Sequence, residues 1–171
     1  AMSGKRFLHI VLQTDFGAAD EGIADLYGIC KRVCGDIRVF DLSHTIPQFN
    51  IAAAARSLAG TLAAWPEETV FASTVVDPAA PAARALCVVK TRNNRYVVAP
   101  DNGTLAEAAR RYGVEWVRDL SELREVYLQS EESAVCHGRD VAYCAAAVAR
   151  QLPQVTLGSA YPGGEIVPLA E

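Results

Sequence analysis

The stretch Val70-Phe71-Ala72-Ser73-Thr74-Val75-Val76-Asp77-Pro78 decides the fold. It is apolar and β-branched over the length of one strand, with little alternation. Such a run suits a strand buried on both faces at the centre of a parallel sheet. It ends on an aspartate, and three other runs end the same way. Residues 7–13 lead into Thr14-Asp15-Phe16-Gly17, residues 37–40 into Asp41-Leu42-Ser43-His44, and residues 96–99 into Pro100-Asp101-Asn102-Gly103. If these runs are neighbouring parallel strands, four carboxylates collect along the edge where open α/β sheets bind ligands.

The segments between the runs supply the crossovers. Residues 20–34 read as a helix with Ile23, Leu26, Tyr27 and Cys30 on one face, stopped by Gly35. Asn50 is a good N-cap for an alanine-rich helix over 51–64. Residues 85–90 and 95–99 form a hairpin through Asn93-Asn94, since asparagine tolerates left-handed backbone. Thr104-Leu105-Ala106-Glu107 reads as a capping box opening a helix to about Tyr112. Residues 114–120 suit a strand, 121–128 have no clear pattern, and 140–152 suit a helix stopped by Pro153. The alternation predicts an α/β fold of three layers, α/β/α, with a mostly parallel central sheet. Residues 7–160 are expected to form that one domain. Residues 1–6 read as a tag remnant or disordered end, and 155–171 as an exit linker or edge strand.

Composition narrows the partners. The chain has 171 residues, a net charge of −4 and no Lys/Arg stripe, which disfavours nucleic acid and anionic membranes. No apolar run reaches the roughly 18 residues of a spanning helix, and no signal peptide is evident. Five cysteines, an odd number, read as reduced core thiols of a cytoplasmic protein. Paired short Cys spacings are absent, so a metal site is not expected. No Gly-x-Gly-x-x-Gly or Walker pattern follows the first strand, which disfavours a dinucleotide or P-loop site.

Several residues could carry chemistry. Asp15 could bind ribose hydroxyls or cap a helix, and for Asp20 the capping role is favoured. Asp41 and His44 could form an acid–base pair or a plain turn. The loop after Asp77 is Pro78-Ala79-Ala80-Pro81-Ala82-Ala83, with no polar side chain before Arg84. It seats Asp77 and Arg84 against apolar space, as an ion pair that orients a ligand or as a structural one. Pro100-Asp101-Asn102-Gly103 could be only a turn. His137 lies in the glycine-containing loop His137-Gly138-Arg139-Asp140 and titrates near neutrality if unperturbed.

The order of these motifs is more specific than any one of them. Thr-Asp-Phe-Gly, Asp-Leu-Ser-His, Val-Val-Asp-Pro, a downstream Arg, Pro-Asp-Asn-Gly and His-Gly-Arg-Asp resemble the S-adenosylmethionine (SAM) hydroxide adenosyltransferases, relatives of the fluorinase and chlorinase. The resemblance spans roughly Leu8 to Leu157. It implies SAM as substrate with no cofactor, water attacking ribose C5′, and a homotrimer. It assigns Asp77, Arg84 and His137 to the water-activating trio. Asp15 matches the ribose-binding aspartate beside Phe16, Phe49 falls near the methionine or ribose part, and Asp101 and Asn102 take a supporting role. The family's glycine-rich stretch before the Arg is replaced here by Ala79-Ala80-Pro81-Ala82-Ala83. Two alternatives stand beside hydrolysis: a non-catalytic remnant that binds an adenosyl ligand or builds an oligomer, and a halogenase, which Arg84 and His137 disfavour.

Overall fold

The computed structural model describes residues 8–81, 83, 85–130, 138–161 and 166–169. Arg84, His137 and the N-terminal residues 1–6 thus lie outside the described residues. The elements in order are β1 (His9–Gln13), α1 (Gly22–Val33), β2 (Arg38–Ser43), α2 (Ile51–Thr61), β3 (Val70–Ser73), β4 (Leu86–Thr91) and β5 (Tyr96–Pro100). There follow α3 (Ala106–Tyr112), β6 (Val114–Asp119), α4 (Ser121–Ser130), α5 (Arg139–Gln151) and β7 (Ser159–Ala160).

Among the described residues, seven strands form one sheet in the order β2-β1-β3-β5-β4-β6-β7. The four strands that lead to aspartates, β2, β1, β3 and β5, are adjacent and mutually parallel. The rest of the sheet is antiparallel, because the β4–β5 hairpin reverses the chain and β6 and β7 extend from it. The hairpin turns where expected, with Asn94 at φ +63°. The chain leaves β1 to one side toward β2 and returns on the other side at β3. This strand-order reversal opens a crevice at the carboxyl ends.

Alternate residues of each strand feed two cores. Ile10, Leu12, Val70, Ala72, Val88, Tyr96 and Val98 pack with α1, α4 and α5 on one face. Val11, Phe71, Val89, Val97 and Ala99 pack with Leu58 of α2 and Leu105 and Ala108 beside or on α3 on the other. The layers are therefore α/β/α, as the patterning predicts. Each fully buried Val, Leu or Phe contributes about 1.5–3 kcal/mol, so the sheet centre is a rigid support for the loops above it.

Two local expectations are corrected, and one open segment is assigned. Residues 121–128 lie in a helix, α4, which turns Leu123, Tyr127 and Leu128 onto the core. β3 stops at Ser73 rather than Val76. After the Thr74 N–H donates to the Gln13 carbonyl, the β1 and β3 chains part, and residues 74–77 run free of the sheet. The Thr104 capping box does not form: the residue preceding α3 is Leu105, and the Thr104 hydroxyl donates to Asn102 Oδ1 at 2.6 Å instead. Asn50 does cap α2, its Oδ1 accepting the Ala53 N–H at 2.9 Å.

Candidate functional site

The departure of residues 74–77 from the sheet projects Asp77 over the crevice. Its Oδ1 accepts the Ala79 N–H at 2.9 Å, and its carbonyl accepts the Ala80 N–H at 3.1 Å. Among the described residues of this loop none has a positive φ. Proline and alanine fit such a turn, so the conformation does not require the glycines replaced here.

Two cavities meet at Asp77. The first, of about 490 Å³, is walled by Thr74, Asp77, Ala83, Ala85, Asn102, Arg124, Gly138 and Asp140, among others. The second, of about 820 Å³, is walled by Phe49, Asp77, Asp101, Asn102 and the tail residues Val167, Pro168 and Leu169, among others. Ile51, Asp77, Pro81 and Asn102 face both. Each has the size of a small-molecule pocket, and the walls are mostly apolar with a few polar groups.

Asn102 ties the loops together. Its Nδ2 donates to the Val75 carbonyl at 3.1 Å, bridging the segments after β3 and β5. Its Oδ1 accepts from the Thr104 backbone and hydroxyl. Asp101 is fully buried, and its carboxylate is held by the tail. The Tyr161 hydroxyl donates to Oδ2 at 2.6 Å, and the Val167 N–H to Oδ1 at 2.9 Å. Residues 166–169 are thereby drawn against the second cavity.

Asp15 lies above β1, next to the crevice. Its Oδ2 accepts the Phe49 N–H at 2.8 Å. Phe49 is exposed and holds φ +63°, an unusual conformation for an aromatic residue that costs about 1–3 kcal/mol. The Asp15 bond and the Asn50 cap hold it there, at the rim of the second cavity. Phe16 turns inward and packs against the core beneath Gly138. Phe49, Asp77, Asp101 and Asn102 therefore line the second cavity, Asp15 lines neither cavity but joins it through the Phe49 N–H, and Phe16 packs beneath Gly138.

The sequence reading missed the base of the first cavity. Asp140, buried at the start of α5, accepts Gly138 and Val141 N–H groups on Oδ1, each at 3.0 Å. Arg124 of α4 donates from Nε to Oδ2 at 2.5 Å. This pair pins Gly138 at φ +117°, where an added Cβ would lie 3.0 Å from Phe16 Cζ and 3.4 Å from Thr74 Cγ2. The only sequence signal was Asp140 two residues after a glycine; Arg124 sits in the segment without a pattern. Asp41 also departs from the shared edge. Its carboxylate turns toward α1, accepting from Tyr27 and His44. Burial pushes that carboxyl up, but the hydrogen bonds from Tyr27 and His44 outweigh it and hold it below the usual carboxylate range. Among the described residues no cluster of His, Cys, Asp and Glu could hold a metal ion. None of the described helices is long and apolar enough to cross a membrane.

Residues 10–158 match the protein family described as the SAM hydroxide adenosyltransferase N-terminal domain. The chain is 35% identical over 162 residues to an (R)-S-adenosyl-L-methionine hydrolase of Salinispora arenicola, covering 94% of this chain and 60% of that one. It is 24% identical to a fluorinase of Nocardia brasiliensis, covering 92% and 59%. A crystal structure of an uncharacterized conserved protein from Thermotoga maritima superposes with a TM-score of 0.81 at 31% identity, covering 95% and 62%. The chain thus spans about three fifths of the length of these relatives.

Proposed function

Because the chain belongs to the SAM hydroxide adenosyltransferase N-terminal domain family, we propose that it hydrolyses SAM to adenosine and methionine. One observation carries this reading. The 490 Å³ cavity is lined by Asp77, by Ala83 and Ala85, which flank Arg84 in the chain, and by Gly138, which follows His137. Two segments remote in sequence, residues 77–85 and the start of α5, thus contribute to one pocket.

In the proposed reaction a water oxygen attacks ribose C5′ as the C5′–S bond breaks, and its electron pair leaves with the sulfur of methionine. The sulfonium loses its positive charge in this step, so a partly apolar, water-poor wall favours it over a solvated one. His137 takes the water proton, while Asp77 and Arg84 orient the water. Asp15 accepts hydrogen bonds from the ribose, and Phe49 packs near the methionine or ribose part. No cofactor takes part. The greater identity to the hydrolase than to the fluorinase supports water over halide as nucleophile. A cytoplasmic homotrimer, with the site completed by a neighbouring domain, is the corresponding assembly.

Incubation of the purified chain with SAM, with and without chloride, tests the reading by chromatography of the products. Adenosine and methionine should form in the wild type, and Asp77→Ala and His137→Ala should each lose at least about a hundredfold in rate. Binding of SAM without turnover would support the non-catalytic remnant, and a chloride-dependent 5′-chloro product the halogenase. Either result would overturn hydrolysis.

A further inference from the structure

A second group of side chains stands beside the Asp15 loop and has no part in the reaction above. The Thr14 Oγ1 lies 2.8 Å from His44 Nδ1, and His44 Nε2 lies 2.5 Å from Asp41 Oδ1. The Tyr27 hydroxyl donates to the same Asp41 oxygen at 2.5 Å. Thr14 and His44 are buried, whereas the Asp41 side chain is half exposed.

The hydrogen-bond directions follow from the donor inventory. A carboxylate only accepts, so His44 carries a proton on Nε2. In the neutral ring Nδ1 is then an acceptor, and the Thr14 hydroxyl donates to it. The order hydroxyl, imidazole, carboxylate matches that of an activated nucleophile. Thr14 is fully buried, however, so its oxygen cannot reach a substrate. The chain of bonds acts on the backbone instead. Thr14 Oγ1 also accepts the Phe16 N–H at 3.3 Å. The Thr14 N–H donates to the Ser43 carbonyl at 2.9 Å, and the Gly17 N–H to the His44 carbonyl at 2.8 Å. The loop 14–17 is thus bound to the 43–44 segment at both ends, and the His44 ring fixes the Thr14 hydroxyl that in turn holds the Phe16 N–H.

We propose that His44, aimed by Asp41 and Tyr27, is a positioning residue that sets the Thr14–Gly17 loop, and with it the Asp15 carboxylate, for the ribose of the substrate. The proposal rests on the function proposed above. Asp15 has one oxygen committed to Phe49, so the direction of the other depends on the loop backbone that Thr14 and His44 fix. Two substitutions separate the ring nitrogens: Asn places an amide oxygen near the Nδ1 position, whereas Gln reaches toward Nε2.

The test uses Thr14→Val, Thr14→Ser, His44→Gln and His44→Asn, with kcat and KM for SAM, adenosine binding by calorimetry, and a melting curve for each variant. Thr14→Val and His44→Gln should raise KM and the adenosine Kd about five- to tenfold, the effect of one lost hydrogen bond, with kcat within about twofold. Thr14→Ser should restore both constants, His44→Asn should do better than His44→Gln, and the Thr14→Val/His44→Gln pair should be no worse than either alone. If His44→Gln fails to fold, the Thr14 pair alone decides. KM and Kd unchanged in Thr14→Val, or a loss confined to kcat, would overturn the positioning role while leaving the function intact. A wild type that neither turns over SAM nor binds adenosine would overturn the function and this proposal's ligand together.

Discussion

Gly138→Ala is the perturbation whose cost can be worked most directly from the structure. Gly138 holds φ +117°, a region that side chains rarely adopt, and forcing alanine there costs about 1–3 kcal/mol. The added Cβ also meets Phe16 Cζ at 3.0 Å, Thr74 Cγ2 at 3.4 Å and Leu26 Cδ2 at 3.7 Å. These are packed side chains with little room to yield, and overpacking a tight interior adds about 1–3 kcal/mol. The expected loss is therefore about 2–6 kcal/mol, a large part of the stability of a domain this size. Gly17 provides the control. It has φ +92° but nothing within 4 Å of its would-be Cβ, so Gly17→Ala should carry the strain alone. Urea titrations of the three proteins, with slopes compared to exclude a change in the unfolded state, measure the difference. Gly138→Ala should be less stable than Gly17→Ala by at least about 1 kcal/mol. Equal losses would show that the Phe16–Gly138 contact does not confine this turn, and would refute the packing described for the base of the first cavity.

Other expectations concern separate features. Burial pushes the Cys30 and Cys87 thiols up to about 12 and Cys144 higher still, so a thiol reagent at pH 8 should label Cys34 well before these three in the native protein, as peptide mapping can show. Asp101→Ala removes the acceptor of Tyr161 and Val167, and a Glu-specific protease should then cleave after Glu165 about tenfold faster by mass spectrometry. Asp41 has its folded carboxyl value held below the ordinary one. Its contribution is thus present above the ordinary value and lost as pH falls through the lowered one. The stability gap between wild type and Asp41→Asn should accordingly be larger at pH 7 than at pH 3 in urea titrations.

The parallel half of the sheet was legible because burial on both faces leaves unbroken apolar runs such as that around Phe71. The Asn50 cap and the turn at Asn94 were legible because single side chains supply those conformations. α4 was not, since a helix with one core-facing side and few apolar residues gives little periodicity. Nor was the strain at Phe49, which arises from a hydrogen bond to Asp15, 34 positions away. Asp15 and Asp101 were legible as residues just past a strand, whereas Asp41 lies within β2 and Asp77 four residues beyond β3, and the fates of the four were not legible. Asp41 turns to Tyr27 and His44, Asp101 to the tail, and Asp77 alone faces both cavities. Those differences come from distant partners, which local sequence does not encode.

The central claim is that water, activated beside Asp77, attacks the ribose carbon of SAM. Turnover in water enriched in oxygen-18, followed by mass spectrometry of the nucleoside, tests it most directly. The account predicts adenosine carrying one heavy oxygen at the 5′-hydroxyl, with methionine unlabelled and Asp77→Ala forming none. Unlabelled adenosine, a 5′-halogenated nucleoside, or intact SAM after prolonged incubation would contradict it.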